Sequence, residues 1–199
     1  MLALLLALWT SAAAPAPDVV LFLGDSLTAG YGISLNAAFP SLLEERWKKE
    51  GRPLRARNAG ISGSTTAGAL ETLDWTLAPD VKVLFVCIGA NDGLRGLPVN
   101  AGRDNLSMIV QKAKAKGIKV VLAGMRLPPN YGKDYAARFE AMYGQVAGRH
   151  KVDLMPFLLK DVAGVRELNL PDGIHPNEKG HEIVAANVHA FLESKGYLR

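Results

Sequence analysis

The sequence predicts an α/β fold built on a five-stranded parallel sheet covered by helices on both faces. Two observations predict it. Five short apolar runs alternate along the chain with longer segments of helical spacing, the pattern of successive βα units. Val19–Leu23 and residues 83–88 are also continuously apolar rather than alternating polar and apolar, as strands buried on both faces are.

The elements follow in order. Val19–Leu23 is unbroken apolar sequence ending at Gly24 and reads as a buried strand. Residues 37–50 place Phe39, Leu42, Leu43 and Trp47 at helical spacing, and Gly51 fits the position just past a helix end. Leu54–Asn58 reads as a short peripheral strand and Thr66–Leu77 as a helix stopped by Pro79-Asp80. Val81–Ile88 is the most apolar strand and belongs at the centre of the sheet. Ala101–Lys116 is helical and closes at Gly117; Lys119–Ala123 is a strand; Asp134–His150 is a helix; Val152–Met155 is the last strand. The closing helix, Asn177–Lys195, has an apolar stripe of Ile183, Val184, Val188, Phe191 and Leu192. His181 and His189 on that helix are expected to face solvent, and His150 to end its own helix, where positive charge is favoured.

Composition narrows the class. The chain has 199 residues, a length suited to one domain with a sizeable core, and 49% apolar with 21% charged residues is a globular balance. The net charge of +4 is spread thinly, and lysines such as Lys112, Lys114 and Lys116 read as a solvated helix face. Nothing here has the signature of a nucleic-acid binder. The single cysteine, Cys87, allows no intrachain disulfide and sits in an apolar strand as a small hydrophobe.

Residues 1–16 stand apart: the apolar run Leu2–Trp9 precedes a small-residue, Pro-containing stretch. Eight apolar residues fall far short of the roughly 20 that span a bilayer. The segment reads as a secretory signal peptide, with export to the periplasm or medium, although no Lys or Arg precedes the run. The alternative is a disordered or packed N-terminal segment. Residues 17–199 then form a single domain with no lasting membrane span, and a monomer is the default expectation.

In parallel sheets ligands bind beyond the carboxyl ends of the strands. Three such places carry polar, Gly-rich sequence: Gly24-Asp25-Ser26-Leu27, Asn58-Ala59-Gly60-Ile61-Ser62-Gly63-Ser64-Thr65 and Gly89-Ala90-Asn91-Asp92. Asp172-Gly173-Ile174-His175-Pro176 precedes the closing helix. Acyl transfer needs a nucleophile, a base and a group that orients the base. Ser26, at a strand-to-helix junction, His175, and Asp172 three residues before it meet that need. A developing oxyanion needs fixed donors. The N–H of Ser26, the N–H of a glycine in the second loop and the Asn91 amide supply them. Each block alone is an ordinary turn or cap; their joint order and strand-end placement point to chemistry.

These four blocks, in this order, resemble the SGNH (GDSL) hydrolase superfamily, over nearly all of the sequence from Val19 to the closing helix. Asn91-Asp92-Gly93-Leu94-Arg95-Gly96 and Arg126-Leu127-Pro128-Pro129-Asn130-Tyr131-Gly132 resemble its branch of arylesterases, acyl-CoA thioesterases I and lysophospholipases L1. The resemblance implies a three-layer, flavodoxin-like α/β/α fold and a serine esterase without metal or organic cofactor. It makes Ser26 the nucleophile, His175 the base, Asp172 its orienter, and Ser26, Gly63 and Asn91 the oxyanion donors, Gly63 being preferred to Gly60. It also places the loop 93–98 beside a small or lipid-like acyl ester, moving on binding. The sequence departs from the branch at Ser64, where an acidic residue is common, and at Gly60, where a serine is.

Leu94, Leu97, Leu127, Pro128 and Tyr131 give either an apolar mouth for acyl or aryl groups or plain loop packing. Two rivals stand beside the esterase reading. One is a flavin-binding module using the loop at Ser26; the other is a carbohydrate O-acetyl esterase on the same site. A metal site from Asp172, His175 and His181 lacks further ligands nearby.

Overall fold

The structure, a computed structural model, describes residues 17–198; the expected leader at 1–16 lies outside the described residues. In chain order the elements are β1 (Asp18–Gly24), α1 (Ser26–Ala29), α2 (Phe39–Lys49), β2 (Leu54–Gly60), α3 (Thr66–Thr76), β3 (Val81–Cys87), α4 (Ala90–Leu94), α5 (Val99–Ala115), β4 (Lys119–Ala123), α6 (Lys133–His150), β5 (Asp153–Met155) and α7 (Glu178–Ser194). The five strands form one parallel sheet in the order β2-β1-β3-β4-β5. β3 is central and β2 is an edge strand, as the hydropathy of the two runs requires.

The chain moves from β1 outward to β2, then crosses back past β1 to β3. The switch point therefore lies between β1 and β3, where such sheets open a crevice at their carboxyl edge. α2 packs with β2 and α7 in one layer, while α3, α5 and α6 pack on one another in the other. Phe22 of β1 is the hub of the first interface. Its ring meets Phe39 edge-on at 5.4 Å, Phe85 at 5.4 Å and Trp47 at 6.4 Å, all four fully buried. Burying aromatic side chains of this size dominates the energetics of such a contact.

The expectation that His181 and His189 face solvent is corrected. Both are buried, at 1% and 2% exposure. They lie eight residues apart on α7, in phase with Val184, Ala185, Val188 and Leu192, and complete the face set against α2. Counting only apolar residues shifted the stripe, because an imidazole packs like a hydrophobe when its nitrogens are satisfied. Nδ1 of His181 accepts from the Phe39 N–H (3.1 Å), and Nδ1 of His189 accepts from Trp47 Nε1 (3.2 Å). Both rings are thus fixed as the tautomer protonated on Nε2, and each bolts α7 to α2 through a polar contact inside an apolar interface.

Protonating either ring at Nδ1 would set two donors against each other. Burial, and secondarily the nearby His175, lowers His181 from 6.5 to about 4, and burial also lowers His189. The unfolded chain binds these protons first, so the stabilisation is fully present above pH 6.5 and is lost as pH falls toward 4. For His181 this amounts to about 3 kcal/mol. Denaturant unfolding between pH 7.5 and 4.5 should show that decline, and His181→Asn should remove this part of the slope.

Candidate active site

The site is assembled by strand register. Gly24 is level with Gly60 across β1–β2 and with Cys87 across β1–β3. The loops after all three strands therefore leave the sheet side by side. Directly beyond β1 the chain turns into α1, capped by Asp25, whose carboxylate accepts from the Leu27 N–H (3.1 Å). Ser26 is the first residue of that helix.

α1 is a single turn, too short to hold itself, and its neighbours grip it. Asn58 donates from Nδ2 to the Thr28 carbonyl (2.8 Å), and Thr28 Oγ1 lies 3.1 Å from Cys87 Sγ. Gly60 lets β2 approach: a Cβ there would stand 2.3 Å from Ala29 N and 2.8 Å from Thr28 C. Gly63 differs. Its φ of +79° is the left-handed conformation that glycine adopts without strain, and a Cβ there would meet only the Arg95 guanidinium, at an ordinary 3.6 Å. Arg95 holds this peptide by donating to the Gly63 carbonyl (2.9 Å).

His175 arrives from the loop before α7, 149 residues from Ser26. Its Nε2 lies 2.9 Å from Ser26 Oγ, and its Nδ1 lies 2.8 Å from Asp172 Oδ2. Asp172 Oδ1 accepts from the N–H groups of Ile174 and His175, each at 3.0 Å. Desolvation raises the Asp172 carboxyl, but these N–H groups and the imidazole together hold it below its ordinary range. It is therefore a fixed anion facing one imidazole nitrogen, while the other faces a hydroxyl.

Three candidate donors lie at Ser26 and on the loops that leave the sheet next to it. Among the described residues, the N–H groups of Ser26 and Gly63 have no acceptor. The Asn91 amide donates to the Ser64 carbonyl at 3.0 Å and only loosely, at 3.4 Å, to Asp25 Oδ2. Asp92 anchors this arrangement, accepting from the Thr66 N–H (2.8 Å) and hydroxyl (2.6 Å). That ties α4, which carries Asn91, to the start of α3.

Asp25 is the residue that sequence reasoning passed over. It is 1% exposed, and burial raises its carboxyl to about 6 against the pull of the Leu27 N–H and of His175. Its place inside a turn motif concealed that this carboxyl, next to Ser26 in the chain, is buried within electrostatic reach of His175. Tyr31, whose ring packs on His175, was likewise not singled out. Cys87 is buried, and burial pushes its thiol up to about 12, so it is not a nucleophile at neutral pH.

The proposed mouth residues separate. Leu94 and Leu97 offer their carbonyls to the hydroxyls of Tyr131 (3.1 Å) and Tyr135 (2.8 Å). Leu127 packs under Gly93 beside Phe139, and Pro128 precedes the short turn that carries Tyr131. Tyr131 and Leu127 thus brace the loop, whereas the Leu97 side chain is 37% exposed. Among the described residues no cluster of three or more His, Cys, Asp and Glu is arranged to hold a metal ion, and His181 is engaged with α2.

An orienting anion, an imidazole and a hydroxyl in series, next to free N–H groups, make a setting for acyl transfer. The chain belongs to the GDSL-like lipase/acylhydrolase family, whose model matches residues 22–183. Esterase TesA of Pseudomonas aeruginosa is 43% identical over 162 residues, covering 81% of each chain. Thioesterase 1/protease 1/lysophospholipase L1 of Escherichia coli is 38% identical over 173 residues, covering 86% of this chain and 82% of that one. The crystal structure of the psychrotrophic esterase EstA from Pseudoalteromonas sp., inhibited by monoethylphosphonate, aligns with a TM-score of 0.86 at 33% identity, covering 89% of this chain and 98% of that one. The protein is a carboxylic ester hydrolase of the esterase and thioesterase kind on the SGNH α/β fold. That decides against a flavin-binding module.

Gly60→Ala tests the packing that seats Ser26. The added methyl meets backbone that cannot yield, so stability should fall by about 1–3 kcal/mol, with a loss of ester hydrolysis as α1 is displaced. Gly148→Ala on α6, where the methyl meets open space, should cost neither. Denaturant melts and initial rates measure both.

Proposed function

We propose that the protein hydrolyses acyl esters and thioesters by a two-step acyl-enzyme route in which Ser26 is the nucleophile, His175 the general base and Asp172 the group that orients it. The observation that carries this reading is the unbroken series from Asp172 through the His175 ring to Ser26 Oγ, with contacts of 2.8 and 2.9 Å. His175 takes the Ser26 proton on Nε2 as Oγ bonds to the acyl carbon, and the carbonyl electron pair moves onto oxygen. The oxyanion is received by the N–H groups of Ser26 and Gly63 and by the Asn91 amide, which exchanges its loose contact with Asp25 for a stronger one. The tetrahedral species collapses, His175 protonates the leaving alcohol or thiol, and water activated by the same ring releases the acid. Inhibition of the related EstA by a phosphonate, a tetrahedral mimic of such an intermediate, supports the route.

The substrate is a small or lipid-like acyl ester rather than an acetylated carbohydrate. Exposed apolar side chains lie close to the hydroxyl and imidazole: Tyr31 on the His175 ring, Ile174 next to it in the chain, and Ile61, whose N–H donates to the Gly24 carbonyl. These side chains suit an acyl group. The apolar leader at 1–16 supports export, and the enzyme acts as a monomer. Among the described residues no helix is long and apolar enough to cross a membrane.

Ser26→Ala should abolish turnover and covalent labelling by a fluorophosphonate; persistent labelling of that variant would contradict the assignment. Asn91→Ala should lower kcat by about 100- to 1000-fold with KM nearly unchanged, because the donor acts mainly on the transition state. In a comparison of p-nitrophenyl esters of increasing chain length, an acyl-CoA and an acetylated sugar, the p-nitrophenyl esters and the acyl-CoA should be turned over faster than the sugar. A preference for the sugar would instead favour the carbohydrate esterase.

A further inference from the structure

Tyr31 is half-exposed, at 52%, yet its position is fixed. Its N–H donates to the carbonyl of Ser26 (3.1 Å), as does the N–H of Gly30 (3.1 Å), which closes α1 in the left-handed conformation at φ +79°. The backbone of the reactive serine therefore sets where this ring goes, and it goes onto His175. The two ring centroids are 4.6 Å apart with planes inclined by 38°. The tyrosine hydroxyl has no partner among the described side-chain and backbone hydrogen bonds, so the ring face, not the phenol, makes the contact.

A half-exposed aromatic adds little to the core. What it does offer is the negative face of a π system to an imidazole that becomes positively charged whenever it holds the serine proton. We propose that Tyr31 is a positioning residue of the hydrolysis: its ring face keeps His175 aligned with Ser26 and stabilises the imidazolium that forms in each of the two steps. This rests on the roles proposed above for Ser26 and His175. The titratable and polar groups around His175 are Asp172 on its own loop, Ser26 on α1, the buried Asp25 next to Ser26, and the buried His181 on α7. The first and third are acidic, and His181 is neutral. Tyr31 is the aromatic in this group and sits on the ring face, which in-plane hydrogen-bonding partners cannot reach.

The test compares Tyr31→Phe with Tyr31→Leu and Tyr31→Met in steady-state hydrolysis of a p-nitrophenyl ester across pH, with melting curves to establish that each variant is folded. The aliphatic variants keep bulk but lack the π face. They should lower kcat and kcat/KM together by roughly 3- to 30-fold with KM unchanged, the range expected for a cation–π contact between exposed and desolvated limits. The acid limb of the kcat/KM profile should move to lower pH, since the cation has lost a stabilising neighbour. Tyr31→Phe should retain the parent rate and profile. The proposal is overturned if the aliphatic variants keep the parent kcat and pH profile, if only KM changes, or if Tyr31→Phe is as slow as Tyr31→Leu. Ser26→Ala separates the two levels of inference. Activity surviving in that variant would remove the triad itself, whereas an inactive Ser26→Ala with unaffected Tyr31 variants would remove only the role of Tyr31.

Discussion

The carboxyl ends of β1, β2 and β3 finish level with one another, and the geometry of the site descends from that register. Gly24 faces Gly60 on one side and Cys87 on the other. From Val20 to Gly24, β1 pairs residue for residue with both parallel neighbours, so a slip of one position there would turn the adjoining side chains to opposite faces. It would also part the loops that bring Ser26, Gly63 and Asn91 together. The buried hub around Phe22, Phe39, Phe85 and Trp47 holds β1 and β3 in that register, and Gly60 allows β2 to close on α1. The long-range contact of His175 with Ser26 then depends on α7 being placed correctly, which falls to His181 and His189. The histidines that bolt the helix and the histidine that faces the hydroxyl are thus parts of one chain of positioning.

The buried carboxyls beside the site are treated differently, and the difference is physical. Asp92 takes two hydrogen bonds from Thr66 and serves as an anchor. Asp25 has one firm bond, from the Leu27 N–H, and a long one from Asn91, so desolvation prevails and its carboxyl is raised. An incompletely satisfied anion is an unfavourable group to bury. Here it lies within electrostatic reach of His175 and holds the Asn91 amide only loosely. Under the proposed reaction, stability is forgone at the place where charge develops, a common feature of enzyme sites.

The strands and long helices were legible because their apolar runs and spacings exceed what turns produce; observed boundaries fall within a residue or two of those expected. α1 and α4 were not legible as helices. With four and five residues they have no periodicity to read, and tertiary contacts hold them, even though they carry Ser26 and Asn91. Three of the polar blocks were readable as a set because each follows a strand; the fourth, Asp172–Pro176, stands before the closing helix. His181 and His189 were misjudged because a hydropathy scale scores an imidazole as polar, whatever it bonds to. The purpose of Leu127 and Tyr131 was undecidable from sequence, since a side chain that lines a mouth and one that braces a loop look alike until its hydrogen-bond partner is known. Tyr31 went unnoticed for a similar reason: its partner lies at the far end of the chain.

The hydroxyls of Tyr131 and Tyr135 reach the carbonyls of Leu94 and Leu97 from the segment that leads into α6 and from α6 itself. The stretch after Asn91 is consequently latched at two points by groups that take no part in bond making. Water competes readily for such phenol–carbonyl contacts, so each contributes only about 0.5–1.5 kcal/mol. The conformation of this stretch therefore rests on two modest contacts at the protein surface, and losing either hydroxyl would free one carbonyl without touching the neighbours of Ser26.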